Sequence, residues 1–355
     1  MLRTLLAVLL LFAADATASS KAEIERRDYF VENDPGVRLF VRQVTELPPG
    51  HASGGQPILL VHGARVPGLA SFDLPVPGGS LAADLARLGF DVYVMDVRGY
   101  GTSTRPKEMD EPQTAHAPLV RSNQAVRDIA AVVDSIRQRR RVSRVALFGW
   151  ATGGQWAGYY ASLYPEKVSA LIVLNSLYRG VAAHPFLGHG SDMEDPAHPN
   201  HFNRAACGAY RLNDGSSLLG VWDRSIPEKD KSLWRDPAVA RAYVNAALAS
   251  DSTSGSRTPP SFRSPCGALE DSFDLAIGRS LWDASLVTAP TLILASERDF
   301  WSRAVDRQAL VEDLVDSPKV RSVVIPGATH FVHLDRPERG RNLLLNEINS
   351  FLSEN

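Results

Sequence analysis

Short apolar segments that alternate with helical segments constrain the fold of this chain more than any other feature. Residues 57–61, 91–95 and 168–174 are apolar runs of strand length. Such runs are typical of strands buried on both faces of a parallel sheet. Residues 80–88 and 121–140 have helical periodicity instead. The order strand, helix, strand with short connections therefore predicts a parallel sheet covered by helices on both faces.

The same alternation returns late in the chain, after a long interruption. Residues 290–295 and 320–325 are predicted strands, and predicted helices follow them at 303–315 and 337–352. Between 177 and 287 we find no comparable β-rich run. A gap of that length between two strands of one sheet is far longer than an ordinary connection. We therefore expect an α/β core, a mostly parallel and doubly wound sheet, with an inserted helical cap domain.

The N-terminus has the pattern of an export signal. Arg3 precedes an apolar run at 5–14, and small residues follow, ending in Ala16-Thr17-Ala18. A positive start, a short apolar stretch and an A-x-A site in that order are typical of a secretory signal peptide. We expect cleavage near Ala18 and a secreted or periplasmic protein.

These patterns divide the chain into a leader, a core in two parts and an insert. Residues 1–18 are the predicted signal peptide, residues 19–178 and 288–355 the predicted core, and residues 179–287 the predicted cap.

The charge of the chain narrows the class of partner. A formal net charge of −2 with 22% charged residues gives no general basic character. Binding to nucleic acid or to an anionic membrane surface would need a basic patch. We therefore expect a small-molecule substrate, and neither nucleic acid nor membrane as a partner. The sequence leaves the oligomeric state open.

The chain has two cysteines, Cys207 and Cys266, and both fall in the predicted insert. In an oxidising compartment such a pair is expected to form a disulfide, with two free thiols as the alternative. Closing a loop of this length would stabilise the insert by roughly 4 kcal/mol in the chain-entropy model.

A strand, a sharp turn and a helix follow one another around Ala151. The apolar run 144–150 enters a turn flanked by Gly149 and Gly153, and an amphipathic segment follows at 155–163. This is the layout of a nucleophile elbow, in which the central residue of G-x-S-x-G stands at the tip of a strained turn. Here the tip is Ala151, which carries no nucleophile.

Five segments at predicted strand ends resemble, in order, the motifs of the α/β-hydrolase fold with a cap domain. They are His62-Gly63, residues 96–103, residues 149–153, residues 296–299 and residues 327–330. The resemblance covers the chain from about residue 37 to its end, apart from the cap, and it implies this fold for the core.

The resemblance also implies a catalytic triad in the chain order nucleophile, acid, histidine. Position 151 would hold the nucleophile, Asp299 the acid that orients the base, and His330 the base. Glu297 and His333 lie nearby, but they match the family pattern less well.

Backbone and pocket roles are implied in the same way. The N–H groups of Thr152 and Ala64 would form the oxyanion hole, with Arg65 as the alternative to Ala64. Trp150, Phe300 and Trp301 flank catalytic positions, and either line an apolar substrate pocket or belong to the core.

Alanine at the tip admits two explanations. Either a serine has been replaced, which leaves an inactive form of an enzyme, or alanine is native and the protein binds a ligand without turning it over. We favour the first, because a retained acid, base and oxyanion hole would have little purpose in a binder. Removing such a nucleophile costs on the order of 10⁶ in turnover.

The type of nucleophile decides the reaction class. An aspartate at position 151 would indicate an epoxide hydrolase or a dehalogenase. Epoxide hydrolases of the family usually show H-G-x-P, and this chain has Arg65 in place of the proline. Dehalogenases usually carry Asn after His-Gly and Trp after the nucleophile, where this chain has Ala64 and Thr152. We therefore predict a carboxylic-ester hydrolase that acts on a small apolar or aromatic ester.

No cofactor is required by this chemistry. The segment 184–203 is rich in histidine, with His184, His189, His198 and His201, but its spacing matches no recognised zinc motif. We predict no metal site.

Overall fold

The computed structural model describes residues 23–47, 55–180 and 183–355. The predicted signal peptide lies outside the described residues.

An eight-stranded sheet forms the centre of the molecule. Its strand order is β1-β2-β4-β3-β5-β6-β9-β10, and the strands from β4 to β10 pair in parallel. The pairs β1–β2 and β2–β4 are antiparallel. The strands are β1 (Glu23–Glu32), β2 (Arg38–Leu47), β3 (Pro57–Val61), β4 (Asp91–Met95), β5 (Val145–Trp150), β6 (Val168–Leu174), β9 (Thr291–Arg298) and β10 (Val320–Thr329).

Strand β1 was not expected from the sequence. Its residues pair one-to-one with β2 along the edge of the sheet, from Glu23 opposite Leu47 to Glu32 opposite Arg38. Most of its side chains are exposed or half-buried, and six of its ten residues are charged within the sequence EIERRDYFVE. Charged edge strands of this kind protect a sheet from further pairing, and they lack the apolar run that identifies a central strand.

Helices cover both faces of the sheet and form most of the insert. They are α1 (Gly68–Phe72), α2 (Leu81–Arg87), α3 (Ser122–Arg140), α4 (Thr152–Leu163), α5 (Arg204–Cys207), α6 (Gly215–Ser225), α7 (Pro237–Ala249), α8 (Gly267–Ala276), α9 (Ala304–Asp313) and α10 (Arg341–Ser353). None of the helices in the described part of the chain is long and apolar enough to cross a membrane.

The apolar core lies in two layers, one on each side of the sheet. Ile58 and Leu60 of β3 face one layer, while Leu59 and Val61 face the other. Burial on both faces explains why this strand reads as a continuous apolar run. Helix α3 packs its predicted face against the second layer, with Ile129 among its fully buried residues.

The predicted parallel core is confirmed, and the insert stands between β6 and β9 as expected. The insert is not purely helical, because it contains an antiparallel ribbon of β7 (Tyr210–Asp214) and β8 (Ser261–Pro265). With only five residues a strand, and with Arg, Asn and Asp among them, the ribbon lacks the apolar density of the core strands.

A disulfide joins Cys207 and Cys266 at the base of this ribbon, with the two Cα atoms 6.1 Å apart. Cys207 ends helix α5 just before β7, and Cys266 directly follows β8. The bond therefore closes the segment that carries α6 and α7.

Two glycines allow the turn between β5 and α4 to pack against the sheet. A Cβ atom on Gly149 would collide with the backbone of Gly153, and a Cβ on Gly153 would collide with the carbonyl oxygen of Val61. Backbone atoms cannot rotate away from such a contact as a flexible side chain can. Residues 149 and 153 must therefore be glycine if α4 is to begin beside β3.

We expect Gly153→Ala to lower the free energy of unfolding by about 3 kcal/mol, since it overpacks backbone against backbone. Gly220→Ala is the matched control, because a Cβ at Gly220 in helix α6 meets no atom within 4 Å. The control should instead gain up to about 1 kcal/mol from the better helix propensity of alanine. Urea unfolding of both variants provides the test, and equal effects would contradict the close-approach argument.

Candidate active site

Ala151 stands at a strained turn between β5 and α4. Its backbone angles are φ 53° and ψ −120°, a region that residues with a side chain rarely occupy. The N–H of Ala151 donates to the carbonyl oxygen of Leu174 at 2.8 Å, which fastens the turn to β6. Strain of this kind costs of order 1–3 kcal/mol and persists only where the surroundings enforce it.

An acid–histidine pair lies in the same region, at the carboxyl ends of β9 and β10. His330 Nδ1 lies 2.6 Å from Asp299 Oδ1, and both side chains are almost fully buried. Asp299 also accepts the backbone N–H groups of Trp301 at 3.0 Å and Ser302 at 2.8 Å. The carboxylate is thereby fixed in place, and it holds the proton of the imidazole on Nδ1, which leaves Nε2 as an acceptor.

The loop that carries His330 is anchored by residues on two other strands. The carbonyl oxygen of His330 accepts the indole N–H of Trp150 at 3.0 Å and the side-chain amide of Asn175 at 3.1 Å. Asn175 also accepts the N–H of Ser296 at 2.7 Å, which ties the loop to β9. Sequence reasoning missed Asn175, although a polar residue directly after a buried strand was a usable signal.

Glu297 and His333, the alternatives to Asp299 and His330 in the sequence, lie outside this hydrogen-bonded pair. Glu297 is exposed and accepts the N–H of Gly327, at 2.6 Å, so it bridges β9 and β10 away from His330. His333 is fully buried against Trp150, and neither of its ring nitrogens has a hydrogen-bond partner among the described residues. Burial lowers the pKa of His333 well below its usual range, which keeps this ring neutral.

Two backbone N–H groups next to Ala151 have no acceptor within the part of the chain that is described. One belongs to Thr152, the first residue of α4, and the other to Ala64 in the loop after β3. The hydroxyl of Tyr100 donates to the carbonyl oxygen of Ala64 at 2.9 Å and so holds that loop. Free N–H groups at a helix N-terminus attract negative charge, as an oxyanion hole requires.

The loops behind the site are braced by buried polar groups. His62 Nδ1 lies 2.7 Å from the carbonyl oxygen of Gly63, and Nε2 accepts the N–H of Val97 at 3.1 Å. Burial lowers the pKa of His62, which favours the neutral ring that this bonding needs. Asp96 accepts the N–H of Gly68 and of Thr102 in the same manner.

A cavity of about 180 Å³ opens at Ala151 between the core and the cap. Its walls include every residue predicted for the pocket and several that were not predicted, from the cap as well as from the core. They are Gly63, Ala64, Arg65, Val66, Trp150, Ala151, Thr152, Arg211, Val221, Tyr243, Ala268, Leu269, Ser272, Phe300, Trp301, His330 and Phe331. Cavities of roughly 150 Å³ hold a benzene-sized ligand, so the space suits a small molecule.

The cap is bonded to the loop that carries His330. The indole N–H of Trp222 in α6 donates to Asp335 at 2.8 Å, and the Trp222 ring stacks on Phe331 with centroids 4.9 Å apart. Burial raises the pKa of Asp335 to about 6, and hydrogen bonds from Thr329 and Trp222 oppose that shift. The cap and the histidine loop are thus joined by both a hydrogen bond and a ring contact.

Within the described ranges, no group of three or more His, Cys, Asp or Glu side chains is placed to hold a metal ion. Most of the histidine-rich segment lies at the surface, where Glu194 accepts the N–H groups of Gly190 and Asn200. His184 is buried, and its Nε2 lies 3.0 Å from the carbonyl oxygen of Trp301.

The fold and this arrangement of acid, histidine and elbow define the class of protein. The family described as alpha/beta hydrolase fold matches residues 56–337, and the chain belongs to it. The fold predicted from the five motifs is therefore confirmed.

Several hydrolases are similar to the chain in sequence. Mouse epoxide hydrolase 4 is 23% identical over 254 residues, which cover 70% of this chain and 63% of the mouse protein. The abhydrolase domain-containing protein abhd-5.2 of Caenorhabditis elegans is 31% identical over 117 residues, which cover 33% of this chain and 22% of that protein. The matched parts are less than two thirds of the length of either relative.

Solved structures show the same fold. An epoxide hydrolase from Vigna radiata superimposes with a TM-score of 0.58 at 19% identity, over 94% of this chain and 99% of that one. A meta-cleavage product hydrolase from Pseudomonas fluorescens gives a TM-score of 0.58 at 16% identity, over 92% of this chain and 97% of that one. A thermophilic esterase from Thermogutta terrifontis gives a TM-score of 0.53 at 16% identity, over 93% of this chain and 98% of the esterase.

We expect Ala151→Gly to raise the free energy of unfolding by about 1 kcal/mol, because glycine relieves the strained angles at a smaller entropic cost. Ala131→Gly, in the middle of α3, is the control, and its free energy of unfolding should fall by about 1 kcal/mol. Urea unfolding of the two variants is the measurement. A loss of stability at both positions would show that the turn is unstrained.

Proposed function

We propose that the active form of this protein is a carboxylic-ester hydrolase with a serine at position 151, and that the alanine chain is its inactive form. One observation carries the proposal: His330, which is hydrogen-bonded to Asp299, lines the same cavity as a strained elbow whose tip lacks a nucleophile. A serine at that tip would receive the general base that its hydroxyl needs.

In the proposed reaction, His330 Nε2 takes the proton of the serine hydroxyl as the oxygen attacks the ester carbonyl. The oxyanion that forms accepts hydrogen bonds from the N–H groups of Thr152 and Ala64. His330 then gives its proton to the leaving alcohol, and a water molecule releases the acid by the reverse sequence. Asp299 keeps the imidazole in the required tautomer and stabilises its charged form.

Epoxide hydrolysis is the second candidate, and the likeness to mouse epoxide hydrolase 4 favours it. That reaction would need an aspartate at position 151 as its nucleophile. Against it, Arg65 stands at the position where the family's epoxide hydrolases usually carry proline. Serine therefore remains the preferred nucleophile.

We expect Ala151→Ser to gain hydrolysis of small aryl and alkyl esters, with turnover on the order of 10⁶ above the alanine chain. Initial rates with 4-nitrophenyl acetate and with short alkyl esters measure it. Ala151→Asp, assayed on styrene oxide in parallel, tests the epoxide alternative. If the serine variant hydrolysed no ester and the aspartate variant no epoxide, while the alanine chain bound a ligand tightly, a non-catalytic binding protein would be favoured.

The control for the triad is Asp299→Asn in the serine form. Loss of the carboxylate leaves the wrong tautomer of His330, so turnover should fall by about 10⁴. Glu297→Gln is its matched control, since Glu297 lies two residues earlier, near the end of β9, and bonds to Gly327 instead of His330. If the two substitutions lowered turnover equally, Asp299 would not be the orienting acid.

We also propose that the chain is exported and that the Cys207–Cys266 bond forms in the oxidising compartment it reaches. The predicted leader and a cysteine pair at the base of the cap ribbon support this together. Mass spectrometry of the mature chain should show a start near Ser19, and a gain of two hydrogens on reduction. An intact N-terminus, or an unchanged mass on reduction, would contradict the respective half of the proposal.

A further inference from the structure

One charged side chain in the active-site cavity has no partner. Arg211, on strand β7 of the cap, lines the cavity, and its guanidinium makes no hydrogen bond or ion pair with any described residue. Its Nε atom is buried without an acceptor. A buried guanidinium normally has several hydrogen-bond acceptors, because leaving a charge unpaired away from water is costly.

The buried arginines in the described part of the chain each contact at least one carboxylate. Arg98 contacts Asp128 and Asp34, Arg263 contacts Asp251 and Asp110, and Arg341 contacts Asp84, although its Nε and one Nη have no acceptor. Arg211 differs from them in facing the cavity. Its exposed surface therefore belongs to the site and is available to a ligand.

A second positive charge lies beside it. Arg65 also lines the cavity, and its guanidinium bonds only to neutral groups, Asn213 at 2.8 Å and Ser217 at 2.7 Å. Burial lowers the pKa of Arg211 to about 10, and the charge of Arg65 acts in the same direction while Tyr100 opposes it. Both side chains remain charged near neutral pH.

No aspartate or glutamate is among the residues that line the cavity, so the described wall has two positive charges and no negative one. The rest of the wall is largely aromatic and aliphatic. An anion entering this space would remove the cost of the unpaired charge, whereas a neutral ligand would leave it in place.

We propose that the substrate carries a carboxylate besides the bond that is cleaved, and that Arg211 receives this carboxylate. This proposal rests on the proposed function only where it calls the ligand a substrate. A guanidinium offers two parallel N–H groups that match the two oxygens of a carboxylate. A phosphate would place further charged oxygens against Trp, Phe and Leu side chains, so the apolar wall favours the smaller monoanion. The predicted small apolar or aromatic ester is accordingly replaced by a small half-ester of a dicarboxylic acid, which keeps one free carboxylate.

Binding to the alanine chain tests the proposal without any need for turnover. Benzoate and benzamide have nearly the same shape and differ in charge. Isothermal titration calorimetry should give benzoate a Kd at least tenfold lower than benzamide. In Arg211→Gln, the Kd of benzoate should rise at least tenfold, while that of benzamide changes little. Arg241→Gln removes the same charge from the exposed face of α7 and should change neither value.

Two measurements keep the result interpretable. Thermal unfolding should show Arg211→Gln to be at least as stable as the parent chain, because it removes a half-buried guanidinium whose Nε has no acceptor among the described residues. Arg211→Lys retains the charge without the planar fork, and its Kd for benzoate should lie between those of the parent and the glutamine variant. Equal binding of benzoate and benzamide, a preference that persists in Arg211→Gln, or no benzoate binding at about 10 mM would overturn the proposal.

Activity of the Ala151→Ser form separates this inference from the proposed function. Monomethyl succinate should be hydrolysed with a kcat/KM at least tenfold above that of dimethyl succinate, and Arg211→Gln should remove the difference. Hydrolysis that prefers the neutral diester would overturn the carboxylate proposal and leave the esterase intact. Anion binding through Arg211 without hydrolysis of any ester would support the carboxylate site and overturn the esterase proposal.

Discussion

The close approach of two backbones, where helix α4 begins against strand β3, is the constraint on which the site depends. Gly153 lies so near the carbonyl oxygen of Val61 that no side chain fits. This contact presses the turn at Ala151 into its strained angles and brings the N–H of Thr152 beside the loop of Ala64. The elbow, the placement of the Thr152 N–H and the start of the cavity therefore follow from one backbone contact, whichever residue stands at the tip.

The cap completes the site from the other side through polar contacts as well as apolar packing. Trp222 and Trp234 each donate an indole N–H to the segment around His330, the first to Asp335 and the second to the carbonyl oxygen of Gly327. Buried hydrogen bonds of this type have fixed directions, which apolar packing lacks. The insert is thereby held in one orientation over the cavity, and its ribbon holds Arg211 at the cavity wall.

Much of the core could be predicted from the sequence, because strands buried on both faces leave continuous apolar runs and their ends carry recognisable motifs. Strand β1 was missed because its charged side chains face solvent at the sheet edge. The ribbon of β7 and β8 was missed because its short strands form a wall between cap and core and lack an apolar run. The importance of Arg211 could not be predicted, since the absence of a partner is a property of three-dimensional packing that no local pattern records.

The bond from Trp150 to the carbonyl oxygen of His330 has a mechanical consequence. Trp150 is the last residue of β5 and immediately precedes the elbow, so the strand that carries position 151 also holds the loop of the histidine. A displacement of β5 would therefore carry position 151 and the anchor of the histidine loop in the same direction. The spacing between the elbow tip and the histidine loop is thus set by one strand that both share.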